Sequence, residues 1–386
     1  MSVISVLQVL PEVDPGGAER VVLMVARHVP RERFAVSVAA LDGRGPLGEE
    51  FRKLGCTVHD LGLRGRWSFG AARRLRRLIR EVRPAIVHSH LLRAHLATAW
   101  ALRGFASGGR HRQTAAPEDP DVCWAPAWVA TEHQADPRGW ALRVLRWAAR
   151  RAAVVTAVSE GVRQHLIAHG FQAEKVVTIP NGVEVGPIEA ATAIPRRELG
   201  LPDDARVAIF VGRLARQKGL DVLLRAMAEI ACDPPALHLL AVGEGPDRAK
   251  LERLARRLGL AERVHFLGRR GDVPRLLKSA DLCVIPSRWE GLSLVLLEAM
   301  AAGVPMVATR VAGSEEVIEH EKNGLLVPPK DARAMADAMR GVLDDPRRAR
   351  EWAAGTRRIA HTAEIIAERY GHIYEDLARG FAEGNA

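Results

Sequence analysis

Two glutamates, Glu290 and Glu298, stand eight positions apart in the stretch Pro286 to Thr309, which reads PSRWEGLSLVLLEAMAAGVPMVAT. Carboxylates can act as acid and base, hold a metal or accept hydrogen bonds from a ligand, and here the spacing discriminates. The apolar run ending near Pro286 predicts a buried strand, and the loop Ser287 to Gly291 then opens into a helix through Leu294, Leu297, Ala299 and Met300. Glu290 is thereby expected at the helix entrance and Glu298 farther along. At about 1.5 Å per residue, eight positions span roughly 10 to 12 Å, whereas two carboxylates working on one glycosidic bond with retention stand only ~5 Å apart. The pair cannot share one bond. It suits the opposite ends of an elongated ligand, with helix NH groups between them facing a phosphate. The plainer reading is a loop glutamate followed by a solvated helix glutamate.

Such a junction needs a sheet to hold it. Short β-branched runs alternate with amphipathic ones along the chain. Strands are expected at Val3 to Val9, Phe34 to Leu41, Ala85 to His88, Trp128 to Thr131, Val154 to Val158 and Val176 to Ile179. After the turn Pro180-Asn181-Gly182 and the weakly patterned Val185 to Pro195 the rhythm restarts, with strands at Arg206 to Val211, Leu237 to Val242, Val264 to Leu267, Leu282 to Ile285, Pro305 to Ala308 and Leu325 to Val327. This order predicts an α/β chain of two successive doubly wound, Rossmann-like units joined near Asn181. Residues 106–126 lack periodicity and read as an inserted loop.

In open parallel sheets ligands bind beyond the carboxyl ends of the strands. The first strand is followed by Asp14-Pro15-Gly16-Gly17-Ala18-Glu19-Arg20, where two glycines let backbone approach a ligand before a helix. The first strand of the second half is followed by VGRLARQKG at 211–219, in which Arg213 and Lys218 can converge on one diphosphate. A third segment, Val242-Gly243-Glu244-Gly245-Pro246, lacks the last glycine of a dinucleotide fingerprint and is not one.

The 386 residues suit two domains, and 48% hydrophobic with 26% charged residues supports a real core. The four cysteines, at 56, 123, 232 and 283, form no C-x-x-C pair, which fits a reducing compartment, so the cytoplasm is the expected location. The opening MSVISVLQVL reads as a strand rather than a leader, and no apolar run reaches the ~20 residues of a spanning helix. The net charge of +10 suits an anionic ligand, nucleic acid or an acidic membrane surface. Because only seven of the 56 basic residues are lysine, an arginine-favouring genome explains it equally well.

Five segments occur in order: Gly16-Gly17-Ala18-Glu19, Ile179-Pro180-Asn181-Gly182-Val183, VGRLARQKG at 211–219, VGEGP at 242–246 and EGLSLVLLEAMAAGVPMVAT at 290–309. Together they resemble the retaining glycosyltransferases of sequence family 4, whose two Rossmann-like domains face a central cleft in the GT-B fold. The resemblance runs along nearly the whole chain and is strongest in the second half. It implies an acceptor-side domain over residues 1–182, on which a C-terminal helix near 362–383 packs back, and a nucleotide-sugar-binding domain over 186–360.

The resemblance also implies roles. Arg213 and Lys218 neutralise the departing diphosphate, a task a metal performs in other transferases. Glu298 accepts hydrogen bonds from the ribose, and Glu290 lies near the sugar. Backbone NH groups at Gly291, Leu292 and Ser293 lie near the phosphates, Gly16 and Gly17 close over the diphosphate, and Arg269 flanks the base. The segment Val129-Ala130-Thr131-Glu132-His133 matches the one whose histidine points at the transferred sugar, which makes His133 the catalytic candidate of the first half. Attack then proceeds on the front face through an oxocarbenium-like ion pair, with a donor phosphate oxygen taking the acceptor's proton. The implied substrates are a nucleotide sugar, UDP by family habit with GDP or ADP open, and a lipid-linked, glycan or small-molecule hydroxyl. No cofactor and no metal are implied.

Other features bear on rival readings. Asp119-Pro120-Asp121 is formally a metal-binding D-x-D string but falls in the irregular insertion. His88 and His90 share one sheet face as a zinc pair would, yet no third ligand is evident. The segments Ala71 to Val82 and Trp140 to Arg151 predict basic amphipathic helices whose apolar stripes, including Trp140 and Trp147, cover the sheet and leave a solvated basic face; contact with anionic lipid is the alternative. A nucleotide-sugar epimerase or a phosphorylase could use the same architecture. A nucleic-acid-binding protein would explain the charge, but no recognition-helix, zinc-finger or aromatic RNA-binding signature is present, so nucleic acid is not expected as a partner.

Overall fold

The computed structural model describes residues 3–63, 69–103, 105, 124–135, 138–230, 237–356 and 361–383. The D-x-D string and most of the 106–126 insertion lie outside them. Two compact units result, Met1–Gly182 together with Ala363–Ala386, and Val183–Thr362.

The first unit is built on seven strands, β1 (Ile4–Glu12), β2 (Phe34–Asp42), β3 (Thr57–Asp60), β4 (Ile86–His90), β5 (Ala127–Glu132), β6 (Val154–Ala157) and β7 (Val176–Thr178). They pair in the order β3-β2-β1-β4-β5-β6-β7, and every pairing is parallel. Helices on both faces require each inner strand to be apolar throughout, and β1, β4 and β5 are buried along nearly their whole length. The order reverses between β1 and β4, so ligand-facing loops are expected there. The strand β3 is absent from the expectations above because its sequence, TVHD, is short, polar and at the sheet edge.

Into this otherwise apolar sheet the sequence sets Gln8, His88, His90 and Thr131, each at most 2% exposed. The last helix, Ala363–Glu383, packs on β1, β4 and the helix Gly17–His28 and brings the buried Tyr370 and Tyr374 against them.

The second unit carries β8 (Arg206–Val211), β9 (Leu237–Val242), β10 (Val264–Gly268), β11 (Leu282–Ile285), β12 (Met306–Thr309) and β13 (Leu325–Val327). Their order, β10-β9-β8-β11-β12-β13, is again parallel throughout and reverses between β8 and β11. One apolar core holds the sheet to its helices, with Phe210, Leu239, Leu282, Val284 and Met339 among its members. No helix among the described residues is long and apolar enough to cross a membrane.

Candidate functional site

The reversal between β8 and β11 gathers most of the second-half candidates. The loop after β8 runs from Gly212 through a single 3-10 turn, Arg216–Lys218, and the loop after β11 runs from Pro286 to Ser293. Several polar links bolt them together. Arg288 grips Asp221 through two bonds of 2.8 and 2.7 Å and donates to the carbonyl of Arg216 at 2.8 Å. The Arg288 amide donates to the carbonyl of Gln217 at 2.7 Å, and Gln217 Nε2 donates to the carbonyl of Trp289 at 3.1 Å. Gly219, at φ +69°, closes the first loop against the second: a Cβ there would lie 1.9 Å from the Pro286 carbonyl oxygen.

This clamp brings Lys218 Nζ onto Glu290 Oε1, which also accepts from Ser287 Oγ at 2.8 Å. Thr309, at the end of β12, donates to the Ser287 carbonyl at 2.6 Å and fixes the turn. Glu290 is 6% exposed, so its charge needs that cation and hydroxyl. It does not stand at the helix entrance as expected, because the helix begins at Leu294 and residues 290–293 are irregular loop. Ser293 is the N-cap and its side chain makes no capping bond.

The helix Leu294–Ala302 is buried on every side, which its sequence LVLLEAMAA allows, apart from Glu298. That residue is 4% exposed, so the reading of a solvated helix glutamate is overturned. Burial pushes the thiol of Cys283 in β11 up to about 12, and the Glu298 carboxylate adds to the shift. A carboxylate on such a helix can receive hydroxyl donors from a ligand while the apolar surroundings strengthen each bond.

Arg213 lies exposed at the start of the first loop, with no ion-pair partner among the described residues. Its loop rests on the third glycine-rich segment, where Leu214 donates to the Glu244 carbonyl at 2.9 Å and Gly243, at φ +132°, lets the backbone approach that of Gly212. VGEGP is thus a seat for the Arg213 loop. Arg269 is exposed after β10, two strands from the reversal, and is not joined to the Lys218 group by any bond the structure shows.

In the first unit Gly16 caps the helix Gly17–His28 without a side chain, and Gly17 faces open space. His133 follows β5, and its Nε2 lies 3.0 Å from His90 Nδ1. His88 and His90 stack at 4.1 Å between ring centres and spend their nitrogens on Tyr374, Thr131, Gln8 and His133. The zinc-pair reading fails on that account. Burial and the neighbouring imidazoles push both rings well below 6.5.

Two outward features depart from expectation. In the helix Gly139–Ala149, Ala141, Leu142, Leu145, Ala148 and Ala149 face the core, while Trp140 and Trp147 are 51% and 48% exposed. Trp100, on the adjoining helix Leu91–Ala101, is 40% exposed. The tryptophans therefore lie off the buried face, which these alanines and leucines form.

Against known proteins, residues 15–186 match the family model described as Glycosyltransferase Family 4, and residues 192–359 match that of Glycosyl transferases group 1. The chain is 45% identical over 152 residues to an uncharacterized glycosyltransferase of Methanocaldococcus jannaschii, covering 39% of each. It is 33% identical over 244 residues to the 2-deoxystreptamine glucosyltransferase of Streptomyces kanamyceticus, covering 60% of this chain and 63% of that one. The chain thus spans less than two thirds of the curated relatives it matches. Anabaena HepE, crystallised with UDP-glucose, superposes with a TM-score of 0.82 at 23% identity over 97% of this chain and 100% of its own, a likeness of fold. With both halves matched in order and the doubly wound pair of units in place, the chain belongs to the group 1, family 4 glycosyltransferases with the GT-B fold.

Proposed function

We propose that this protein transfers a sugar, with retention, from a nucleoside diphosphate sugar to a hydroxyl acceptor. The observation that carries the reading is the clamp at the β8/β11 reversal, which sets Lys218 on Glu290 in the loop that leads into a helix N-terminus with no side-chain cap. Lys218 and Arg213 take up the charge that develops on the leaving diphosphate, and the helix dipole favours the same anion. Glu298 accepts from the ribose and Glu290 orients Lys218 beside the sugar. Gly16 and Gly17 offer backbone to the diphosphate, Arg269 flanks the base, and His133 is on the side of the transferring sugar. UDP is the preferred carrier, and no metal is needed because two cations serve the leaving group. The hydroxyl acceptor attacks on the front face and a donor phosphate oxygen takes its proton.

A lipid-linked acceptor is favoured by the outer face of the first unit. Trp100, Trp140 and Trp147 stand exposed there beside Arg103, Arg138, Arg150 and Arg151, with Arg103 and Arg138 stacked 5.8 and 5.5 Å from Trp100 and Trp140. Indole rings beside arginines suit the headgroup region of an anionic bilayer.

Thermal-shift titration with UDP-, GDP- and ADP-sugars in EDTA tests the donor. A ligand binding only the folded state raises Tm by mass action, and no shift with any of them sinks the proposal. Co-sedimentation with phosphatidylglycerol vesicles, against phosphatidylcholine alone, tests the outer face; equal recovery with both would remove the bilayer from the account.

A further inference from the structure

The polar chain buried in the first unit has one degree of freedom, and His133 lies at its end. Gln8 Nε2 donates to the Tyr374 hydroxyl at 3.0 Å, and that hydroxyl lies 2.7 Å from His88 Nδ1. Since the hydroxyl accepts from Gln8, it gives its proton to His88 Nδ1. A neutral imidazole has one N–H, so His88 carries its proton on Nε2 and donates to Thr131 Oγ1 at 2.6 Å. On the other side Gln8 Oε1 accepts from His90 Nε2 at 2.8 Å. The proton of His90 is therefore on Nε2 and its Nδ1 is an acceptor. His133 Nε2, 3.0 Å away, must be the donor.

Turning the Gln8 amide over would reverse every bond in the chain and place the His133 proton on Nδ1. That atom is out of contact with solvent and has no hydrogen-bond partner among the described residues. A buried N–H without an acceptor is the costlier vacancy, because orphaned donors are rarer than under-used acceptors. The polarity with a bare Nδ1 lone pair is the one the surroundings favour. Burial also holds His133 below its ordinary 6.5, so the ring stays neutral near pH 7.

We infer that Gln8, His90 and Tyr374 are positioning residues that lock His133 as the neutral Nε2–H tautomer. Its effect on turnover rests on the proposed glycosyl transfer; the locked tautomer does not. The inference links the C-terminal helix to a residue 241 positions away in sequence from Tyr374, through a hydroxyl rather than through packing alone.

The test is long-range 1H–15N correlation on full-length protein labelled with 15N-histidine, with His133 identified by its absence from His133→Gln. Wild type at pH 7 is expected to show a protonated Nε2 and a pyridine-type Nδ1. In Tyr374→Phe and Gln8→Leu the Nδ1 signal should move to a position averaged between the two tautomers, and kcat should fall by about tenfold with the donor KM within about twofold. Circular dichroism and the urea midpoint establish that both variants are folded. An Nδ1–H or averaged His133 in the wild type, or a tautomer unmoved in folded Tyr374→Phe and Gln8→Leu, overturns the locked relay. If the tautomer moves in both variants but kcat does not, the positioning role is wrong and the relay alone stands. If no nucleotide sugar binds at all, the proposed transfer fails while the tautomer is still read.

Discussion

The ammonium of Lys218 rests on the carboxylate of Glu290, and the two come from loops 72 positions apart that flank the β8/β11 reversal. The pair makes each residue's role depend on the other. A diphosphate entering the site shares the lysine with Glu290, so the cation is held in place before the ligand arrives, and less ordering is needed on binding.

Removing the cation should therefore leave the diphosphate with Arg213 alone and the buried Glu290 with only the Ser287 hydroxyl. Lys218→Ala is expected to weaken UDP binding by about 1.5 to 3 kcal/mol, roughly ten- to a hundredfold, and Arg213→Ala by a comparable amount. Isothermal titration with UDP measures both. Unchanged affinity in the two variants would remove the diphosphate from this loop.

The two glutamates should separate by function. Glu298→Gln loses charged acceptors inside an apolar helix and is expected to cost ~1 to 3 kcal/mol in affinity for UDP and for the nucleotide sugar alike. Glu290→Gln should leave UDP affinity close to normal while lowering kcat, since it releases Lys218 from its partner but loosens its aim. Equal loss of nucleotide affinity with kcat intact in both, read from titration and saturation kinetics with circular dichroism as the folding control, would refute the assignment of opposite ligand ends.

Gly219 joins the clamp through its backbone alone. A methyl group there meets the Pro286 carbonyl at 1.9 Å and sits on a residue at φ +69°. Gly219→Ala is expected to destabilise the second unit by at least about 2 kcal/mol, visible as a lower urea midpoint, and to raise the UDP Kd with it. Gly17→Ala meets nothing within 4 Å and should leave the midpoint within about 0.5 kcal/mol of wild type.

Acid should weaken the first unit. His88, His90 and His95 are at most 2% exposed, and burial holds all three below 6.5, His95 down to about 3. The folded chain keeps them neutral while the unfolded chain takes up protons below pH 6.5, so stability is complete above that pH and falls as pH drops through it. At about 1.4 kcal/mol per histidine per pH unit, the three cost roughly 4 kcal/mol at pH 5.5. Urea unfolding at pH 7.5 and 5.5 measures this; a midpoint that does not fall would contradict the buried neutral rings.

Much of this was legible in the residues. The strand rhythm of the second half reads directly from apolar runs such as 207–211 and 239–242, because strands buried on both faces are largely apolar. TVHD at β3 carries no such run and pairs on one side only. Glu290 and Glu298 announced themselves by spacing, but not the cation that holds Glu290, since the Lys218 contact depends on a turn closed by Gly219 and on the Arg288–Asp221 grip, residues with no shared local pattern. Periodicity places Trp140 and Trp147 on the buried stripe of their helix, whereas Ala141, Leu142, Leu145, Ala148 and Ala149 form it. Gln8 stands out only as a polar residue inside an apolar run and His90 only as half of a period-2 pair, while Tyr374 carries no local signal, since its contact with them depends on how the last helix packs.

The central claim is that the second unit holds a nucleoside diphosphate through Lys218 and Glu298 without a metal. Titrating UDP in EDTA into wild type, Lys218→Ala and Glu298→Gln addresses it most directly. The account predicts a saturable site in the wild type, weaker by about tenfold or more in Lys218→Ala and by about fivefold or more in Glu298→Gln, with added Mg²⁺ changing none of the three. A wild type that binds UDP only when Mg²⁺ or Mn²⁺ is supplied, or variants that bind as tightly as wild type, would contradict it.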